Sequence, residues 1–275
     1  MGRKRIPAAA TDPGVEREND PRFVTALARG IELLRVFKAQ DRWLSHRELV
    51  VRTGLPGATV SRITFTLASL GYLAHRPESG EYALSPAVLG LGFSMLSNFE
   101  IGRIARPTLQ DLAEKCQAAV SLGARHQMEM VYMAHCRSTQ RLLLGLDVGA
   151  RIPLAQTSMG LAVLFHLPGV ERNLLLQQIA STEAGGRTAL DQRLARAQAQ
   201  YSALGFVTTE GEWDPMISAA AVPVDVGDGR NVFGLSVGGP STWLKGSFLH
   251  EEIGPMLIRA AATIVADIHA AEWKY

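Results

Sequence analysis

The stretch SHRELVVRTGLPGATVSRITFTLASLG, residues 45–71, sets how the N-terminal part of the chain folds. Ser45 and Glu48 have the spacing of a capping box, in which the hydroxyl and the carboxylate satisfy free amides at a helix start. This first helix is short, because the residues Thr-Gly-Leu-Pro at 53–56 interrupt it within two turns. A second helix opens over residues 56–59 and closes at Gly71, a residue type that tolerates a left-handed stop. The stretch therefore predicts two helices joined by a tight turn.

The second helix of this pair has an apolar side and a polar side. Its inner stripe, at helical spacing, is Val60, Ile63, Leu67 and Leu70. Its other sides carry hydroxyls and one guanidinium but no acid, from Thr59, Ser61, Arg62, Thr64 and Ser69. A carboxylate aimed at phosphate would cost affinity, so the absence of acids suits a helix that faces a polyanion.

The flanking residues complete a supersecondary pattern. Upstream, a helix with one buried face is predicted by apolar residues that step by three and four, namely Val24, Leu27, Ile31 and Leu34. Downstream, residues 72–74 and 82–84 flank the turn 77–80 and predict a two-stranded wing. These elements predict a winged helix-turn-helix over residues 22–84, preceded by a disordered arm over residues 1–21. In such folds the helix after the turn enters the major groove of DNA.

The net charge of +2 is small, but its distribution along the chain is uneven. Residues 1–98 hold thirteen Lys and Arg against nine Asp and Glu, whereas the rest of the chain is mildly acidic. This imbalance indicates a basic, polyanion-binding head on a different kind of domain. We predict contacts with bases or nearby phosphates from Thr59, Ser61, Arg62 and Thr64, and phosphate contacts from Arg47, Arg52 and Arg76. The alternative left open is a three-helix module that contacts only proteins.

The sequence resembles the IclR family of bacterial transcription regulators over about residues 23–270. The resemblance is carried, in order and spacing, by residues 55–62 (LPGATVSR), 149–154 (GARIPL), 157–162 (TSMGLA), 220–224 (AAVPV) and 235–240 (LSVGGP). It implies an α+β protein with a winged helix-turn-helix, a linker helix over residues 85–103 and a GAF- or profilin-like effector-binding domain over residues 104–275. It also implies a homodimer or a dimer of dimers that represses or activates genes by binding double-stranded DNA at an operator, which the two-fold symmetry makes palindromic.

Two positions depart from the family pattern. Members of the family often carry Lys-Ser where this chain has Gly57-Ala58, and Phe65 replaces a commonly polar residue. The operator sequence is therefore not transferable to this chain.

The rest of the chain is predicted to mix helices and strands. A helix that begins at Ser85-Pro86 and a second over residues 101–116 are expected to link the domains and to hold dimer contacts. Apolar alternation predicts strands near residues 119–125, 130–135, 142–146, 206–209, 218–226 and 232–237, with a hairpin turn at Asp228-Gly229. Helices are predicted near residues 158–167, 170–180, 189–204 and 248–271. This half is therefore α+β.

Residues 153–160 form the candidate effector site, because a loop meets a helix start there and Thr157 and Ser158 are suitable caps. Free amides at such an end attract carboxylates. The resemblance implies one wall of Ser158, Met159, Gly160 and Leu161 and an opposite wall of Thr209, Ala219, Ser236 and Gly238. Ala219 and Gly238 stand where small-acid binders of the family carry polar side chains, so we predict a roomier, more apolar pocket. The predicted effector is an organic acid with a hydrophobic or aromatic body.

An alternative function is a serine hydrolase-like enzyme that uses Ser236, since residues 234–238 fit G-x-S-x-G. That motif needs a helix directly after the serine turn, and Gly239-Pro240 prevents one, so the chain is not expected to be an enzyme. We expect no metal or cofactor, because the histidines and the two cysteines lack metal-ligand spacing. With no apolar run of about 18–20 residues and no secretory signal, the sequence predicts a cytoplasmic protein without membrane contact.

Overall fold

The computed structural model describes residues 20–138, 145–182, 186–227 and 232–271. These residues divide after Asn98 into two compact units, each with its own apolar core. Three predictions lie wholly or mostly outside the described residues: the arm over residues 1–21, the strand near residues 142–146 and the turn at Asp228-Gly229.

The N-terminal unit combines helices with a small antiparallel sheet. Its helices are α1 (Thr25–Arg35), α2 (His46–Thr53), α3 (Gly57–Ser69) and α4 (Ala87–Ser97). Its strands are β1 (Leu44–Ser45), β2 (Leu73–Arg76) and β3 (Glu81–Leu84), in the order β1-β3-β2. Beyond the two predicted wing strands, β1 pairs with the far edge of β3. The core consists of Leu33, Leu44, Leu49, Val60 and Leu73, each at most 3% exposed.

The helix boundaries predicted around the tight turn are confirmed. The Ser45 hydroxyl accepts a hydrogen bond from the Glu48 amide at 3.3 Å, and the Glu48 carboxylate accepts one from the Ser45 amide at 2.8 Å. Hydrogen bonds from the Ser45 hydroxyl and amide lower the pKa of Glu48. The next helix, α3, begins after Pro56 and ends at Ser69, with Gly71 just beyond it.

The apolar stripe of α1 does not face the core as predicted. Leu27 is 62% exposed and Ile31 is 52% exposed, whereas Leu33 anchors the helix and is fully buried. The helix carries apolar residues on more than one side, and the small core of this unit covers only the Leu33 side. The exposed side of α1 and Leu70, at the end of α3, line an open apolar groove between the two helices, which we call the α1–α3 groove.

The C-terminal unit packs helices on both faces of an antiparallel sheet. Its helices are α5 (Glu100–Cys116), α6 (Ser158–His166), α7 (Gly169–Thr182), α8 (Gly186–Leu204), a π-helix (Phe248–Ile253) and α9 (Gly254–Ala270). Its strands are β4 (Ala119–His126), β5 (Glu129–Arg137), β6 (Arg151–Pro153), β7 (Val207–Glu210), β8 (Ile217–Asp225) and β9 (Val232–Pro240). They lie in the order β6-β5-β4-β9-β8-β7. The short β6 was not predicted, and the last predicted helix begins as the π-helix.

The register of the sheet brings three polar side chains into one row. One apolar core lies between the sheet and α5, α9 and the π-helix, and a second lies on the side of α6, α7 and α8. In the central strands Ser236 is opposite Ser121, and Ser121 is opposite His135, so the three side chains form one row across β9, β4 and β5. The predicted α+β class is confirmed.

One segment meets the length and composition of a membrane-spanning helix, contrary to the sequence prediction. It is Phe248–Ala270, with a mean hydropathy of 1.3. Its residues Leu249, Ile253, Leu257 and Ile264 are fully buried in the core of the C-terminal unit. The segment therefore packs here as a core helix.

Candidate functional site

The exposed side of α3 is the first candidate site. It presents Ala58, Ser61, Arg62, Phe65 and Ser69, and Thr59 lies half-buried at its edge. The helix contains no Asp or Glu, so this surface offers hydroxyls and one guanidinium without a carboxylate. Phe65, which is 73% exposed at the centre of the surface, was not among the predicted contacts.

Thr64 is the one predicted contact on α3 that the structure places wrongly for DNA. Its side chain is fully buried, and its hydroxyl donates to the carbonyls of Val60 at 3.0 Å and Ser61 at 3.1 Å. A threonine in a helix can satisfy its hydroxyl in this way within its own turn. The prediction that Thr64 faces a duplex is therefore wrong.

The predicted phosphate-binding arginines differ in how they are held. Arg47 is exposed on the first turn of α2. Arg76 stacks over the ring of Trp43 at 3.8 Å, which orients it at the end of β2. The Arg52 guanidinium instead pairs with both carboxylate oxygens of Asp41 and donates to the Val36 carbonyl at 3.1 Å. Arg52 thus fastens the loop before β1 to α2, and the structure gives no support to its predicted phosphate contact.

A histidine that sequence reasoning missed joins the two helices of the turn. His46 Nε2 lies 3.2 Å from the Gly57 carbonyl and 3.0 Å from the Ser61 hydroxyl. These contacts link the first residue of α2 to the start of α3. They hold Ser61 on the exposed surface beside Arg62.

The second candidate site is an enclosed pocket in the C-terminal unit. The predicted residues that line it are Ser158, Met159, Thr209, Ala219, Ser236 and Gly238. The lining residues that sequence reasoning did not place there are Ala119, Ser121, Tyr132, His135, Leu146, Ile152, Thr157, Trp213 and Ile217. The helix start of α6 faces the sheet across this pocket.

A directed hydrogen-bond network forms the sheet side of the pocket. Arg137 Nε donates to His135 Nε2 at 2.9 Å, and His135 Nδ1 lies 2.8 Å from the Ser121 hydroxyl. Since a guanidinium can only donate, Nε2 is the acceptor and the ring proton is on Nδ1, directed at Ser121. Burial, and then the charge of Arg137, lower the pKa of His135. A neutral imidazole therefore faces the pocket.

The start of α6 supplies the opposite wall. Thr157 is the helix cap, as predicted, because its hydroxyl accepts from the Gly160 amide at 3.3 Å. Ser158 is only 1% exposed, and among the described residues its hydroxyl oxygen has no hydrogen-bond partner. A buried hydroxyl without a partner is costly, so a polar group in the pocket would stabilise it.

Gly160 and Leu161 do not line the pocket, so their predicted places in its wall are wrong. A Cβ atom on Gly160 would lie 2.0 Å from the Leu154 carbonyl oxygen, which shows that glycine is needed for α6 to approach the loop before it. Leu161 points elsewhere and lines a separate cleft of about 310 Å³ beside Arg196 and His250.

The pocket is smaller than predicted, although most of its lining is apolar, as predicted. Its volume is about 40 Å³, enough for a few water molecules. Two larger side chains, Trp213 and Ile217, line the pocket together with Ala219 and Gly238. On the other side Met159 packs so closely on β9 that a Cβ atom on Gly234 would lie 2.4 Å from its Cγ.

The geometry does not support the hydrolase alternative. Ser236 lies inside β9, paired with Ser121 and Ala221, rather than on a turn before a helix. The later histidines are engaged elsewhere: His250 donates to the Gly246 carbonyl and His269 to that of Val226. Within the described residues, no group of three or more His, Cys, Asp and Glu side chains could hold a metal ion.

Comparison with known proteins gives consistent matches along the chain. The family described as bacterial transcriptional regulator IclR C-terminal matches residues 93–266, and the IclR helix-turn-helix domain matches residues 26–77. The HTH-type transcriptional regulator TsaQ1/TsaQ2 of Comamonas testosteroni is 31% identical over 94% of each chain.

Solved structures agree with these matches. An IclR family transcriptional regulator from Brucella abortus is 38% identical, with a TM-score of 0.82 over 94% of this chain and 97% of that chain. An IclR homologue from Microbacterium hydrocarbonoxydans, solved in complex with 4-hydroxybenzoate, shares the fold at 21% identity. Its TM-score is 0.68 over 90% of this chain and 100% of that chain.

The two matched domains account for both units of the structure. The similar proteins are transcription regulators. The chain belongs to the IclR family of DNA-binding transcription regulators.

Proposed function

We propose that this regulator binds a palindromic operator as a homodimer or a dimer of dimers and responds to an organic acid with a hydrophobic or aromatic body. In this proposal α3 occupies the major groove, the pocket beneath α6 holds the effector, and the protein acts in the cytoplasm.

The DNA contact is supported by the acid-free surface of α3. Ser61 and Arg62 are exposed there, with Thr59 at the edge, and they can donate hydrogen bonds to base edges or nearby phosphates. Arg47 and Arg76 are placed for phosphates, which position a protein without specifying sequence.

Dimerisation is supported by exposed apolar side chains on α4 of the N-terminal unit. None of the described residues of α4 is buried, and its Leu89, Leu91 and Phe93 are 60–73% exposed. Contiguous apolar surface of this kind marks an interaction site. A second copy that covers it would place two recognition helices about one duplex turn apart, or a small multiple of about 34 Å.

The single observation that carries the ligand proposal is the buried Ser158 hydroxyl at the start of α6. A carboxylate placed there would accept from Ser158 and lie at the positive end of the helix dipole. Across the pocket, Tyr132 and Trp213 offer ring surfaces for an apolar or aromatic body. The complex of the Microbacterium homologue with 4-hydroxybenzoate is a precedent for an aromatic acid on this fold.

The small volume of the pocket supplies a mechanism for the response. Ligand pockets commonly measure about 300–1,000 Å³, so an aromatic acid enters this one only if a wall moves. Trp213 lies on the loop between β7 and β8, and we propose that its large side chain is the part of the lining that moves. A ligand that binds only the expanded form would shift the protein toward it, and this differential affinity is what changes the operator-binding state.

Calorimetry and a gel shift with the full-length protein test these proposals. We expect benzoate to bind, to change the affinity for the DNA upstream of the protein's own gene, and to bind about tenfold or more weakly to Ser158→Ala, because a bond to a charged group is lost. The matched control is Ser218→Ala, whose hydroxyl bonds to Ser241 at 2.9 Å outside the pocket. Tight binding of pyruvate or glyoxylate with no binding of aromatic acids would contradict the proposed effector class.

A further inference from the structure

We propose that Phe65 reads the methyl group of a thymine in each half of the operator. This inference rests on the proposed placement of α3 in the major groove, and it adds a base-specific apolar contact to the polar contacts described above.

The position of Phe65 on α3 is the first support. Its side chain is 73% exposed, although the large apolar surface of a phenylalanine is more favourably buried away from water. At 100° per residue, Ala58 and Ser69 point within about 40° of Phe65, and Ser61 and Arg62 flank it on either side. Phe65 is therefore at the centre of the surface that faces DNA.

The surroundings of Phe65 distinguish it from the other exposed apolar residues. It does not line the α1–α3 groove, although Arg62 and Thr66 on the same helix do. It is also absent from the core cluster of the N-terminal unit. Its ring therefore stands apart from this groove and beside the one guanidinium of the helix.

The chemistry of the major groove selects the partner. Each base pair presents donors and acceptors there, and only thymine adds an apolar group, the C5 methyl. A phenyl ring has no donor or acceptor of its own for the polar atoms of a base edge, so the thymine methyl group is the feature of the groove that matches it. No carboxylate lies on α3 to oppose the approach of the strands.

Replacement of thymidine by 2′-deoxyuridine tests the contact, since it removes only the methyl group. Duplexes are first selected from a random-sequence library with the full-length protein, then resynthesised with uracil at one thymine position at a time in both half-sites. Affinity is measured by fluorescence anisotropy. Burial of one methyl group is worth about 0.8 kcal/mol, so we expect one position at which uracil weakens binding about fourfold per half-site.

Two variants test whether Phe65 causes this loss of affinity. In Phe65→Ser the loss on uracil substitution should disappear, whereas in Phe65→Leu, which keeps an apolar side chain, part of it should remain. Val51→Ser is the matched control, because Val51 is 75% exposed on α2, and it should keep the fourfold loss per half-site. The exposure of both residues leaves the fold intact, which circular dichroism checks.

The possible failures are distinguishable. If no sequence is enriched by the wild-type protein, the proposed operator binding itself fails. Two other results would overturn the role of Phe65 and leave the operator proposal standing. In the first, a specific duplex is obtained but its affinity depends on no thymine methyl group. In the second, uracil lowers the affinity of Phe65→Ser as much as that of the wild-type protein.

Discussion

The exposed surface of α3 and the pocket beneath α6 both offer hydroxyl groups, but they present them in opposite ways. On α3 the groups come from one segment of 13 residues and point into solvent. In the pocket Ser121, Ser158 and Ser236 come from three separate elements and are buried. In the proposed function, the first surface can therefore meet a duplex directly, whereas the second makes its contacts only after an enclosed space opens. This difference suits a part that holds DNA and a part that responds to a small molecule.

The largest effect expected from a single substitution is a loss of stability that affects the region of α6 but not the surface of α3. Gly160→Ala should destabilise the C-terminal unit by about 3 kcal/mol, near the upper end for overpacking, because its Cβ atom would lie 2.0 Å from the Leu154 carbonyl oxygen. The exposed surface of α3 should be unaffected. Urea denaturation followed by circular dichroism measures the change in free energy of unfolding.

Gly30→Ala is the control for this experiment. Gly30 lies in α1 with no atom within 4 Å of an added Cβ, so the substitution should stabilise that helix by up to about 1 kcal/mol. An unchanged free energy of unfolding for Gly160→Ala would show that α6 does not rest on this close approach.

A smaller effect is expected on the α3 surface, where a side chain can be removed without disturbing the fold. Arg62→Ala should lower operator affinity by about 1–3 kcal/mol, or roughly 5- to 150-fold, if the guanidinium contacts a base. The control is Arg187→Ala on α8, which removes an equal charge that pairs with Asp191 at 2.8 Å. Gel shifts with the selected duplex measure both variants. Unchanged affinity and sequence preference for Arg62→Ala would show that α3 is not the recognition helix.

The helix-turn-helix was predictable because its signals are local. The capping pair Ser45 and Glu48 and the stop near Gly71 depend on residues a few positions apart, and the structure confirms them. Exposure was less predictable, since Thr64 and Leu70 lie at the borders of the apolar stripe, where a small rotation of the helix exchanges inside for outside. The role of Arg52 depends on its hydrogen bonds to the carboxylate of Asp41, which lies eleven residues away across a loop.

The pocket was predictable only where a local signal existed. Thr157 and Ser158 follow from the start of α6, and resemblance to the family added residues of the opposite wall. The row Ser121, His135 and Ser236 depends on strand register, which joins residues 115 positions apart in the sequence. A period-two pattern shows that a strand has two faces but does not identify the residues opposite it. Trp213 lies on a loop, and no sequence pattern indicated that it would line the pocket.

The smallest expected effect is a dependence of stability on pH that comes from the pocket and not from α3. The folded-state pKa of His135 lies below its ordinary value of 6.5, because of burial and the charge of Arg137, against an opposing effect of Asp147. Between the folded and ordinary pKa values the unfolded chain binds a proton that the folded chain does not. The stabilising contribution is therefore complete above about pH 6.5 and is lost as the pH falls toward the folded-state pKa.

Replacement of His135 by Gln isolates this contribution. The amide can still accept from Arg137 and donate to Ser121, but it does not titrate, so His135→Gln should lose less thermal stability than the wild-type protein between pH 7 and pH 5. Thermal denaturation of the two proteins at matched pH values measures the difference. His166→Gln serves as a control, because His166 lies in α6 outside the pocket lining. Equal pH slopes for wild type and His135→Gln would mean that the imidazole is protonated equally in both states, and the directed network from Arg137 to Ser121 would then be wrong.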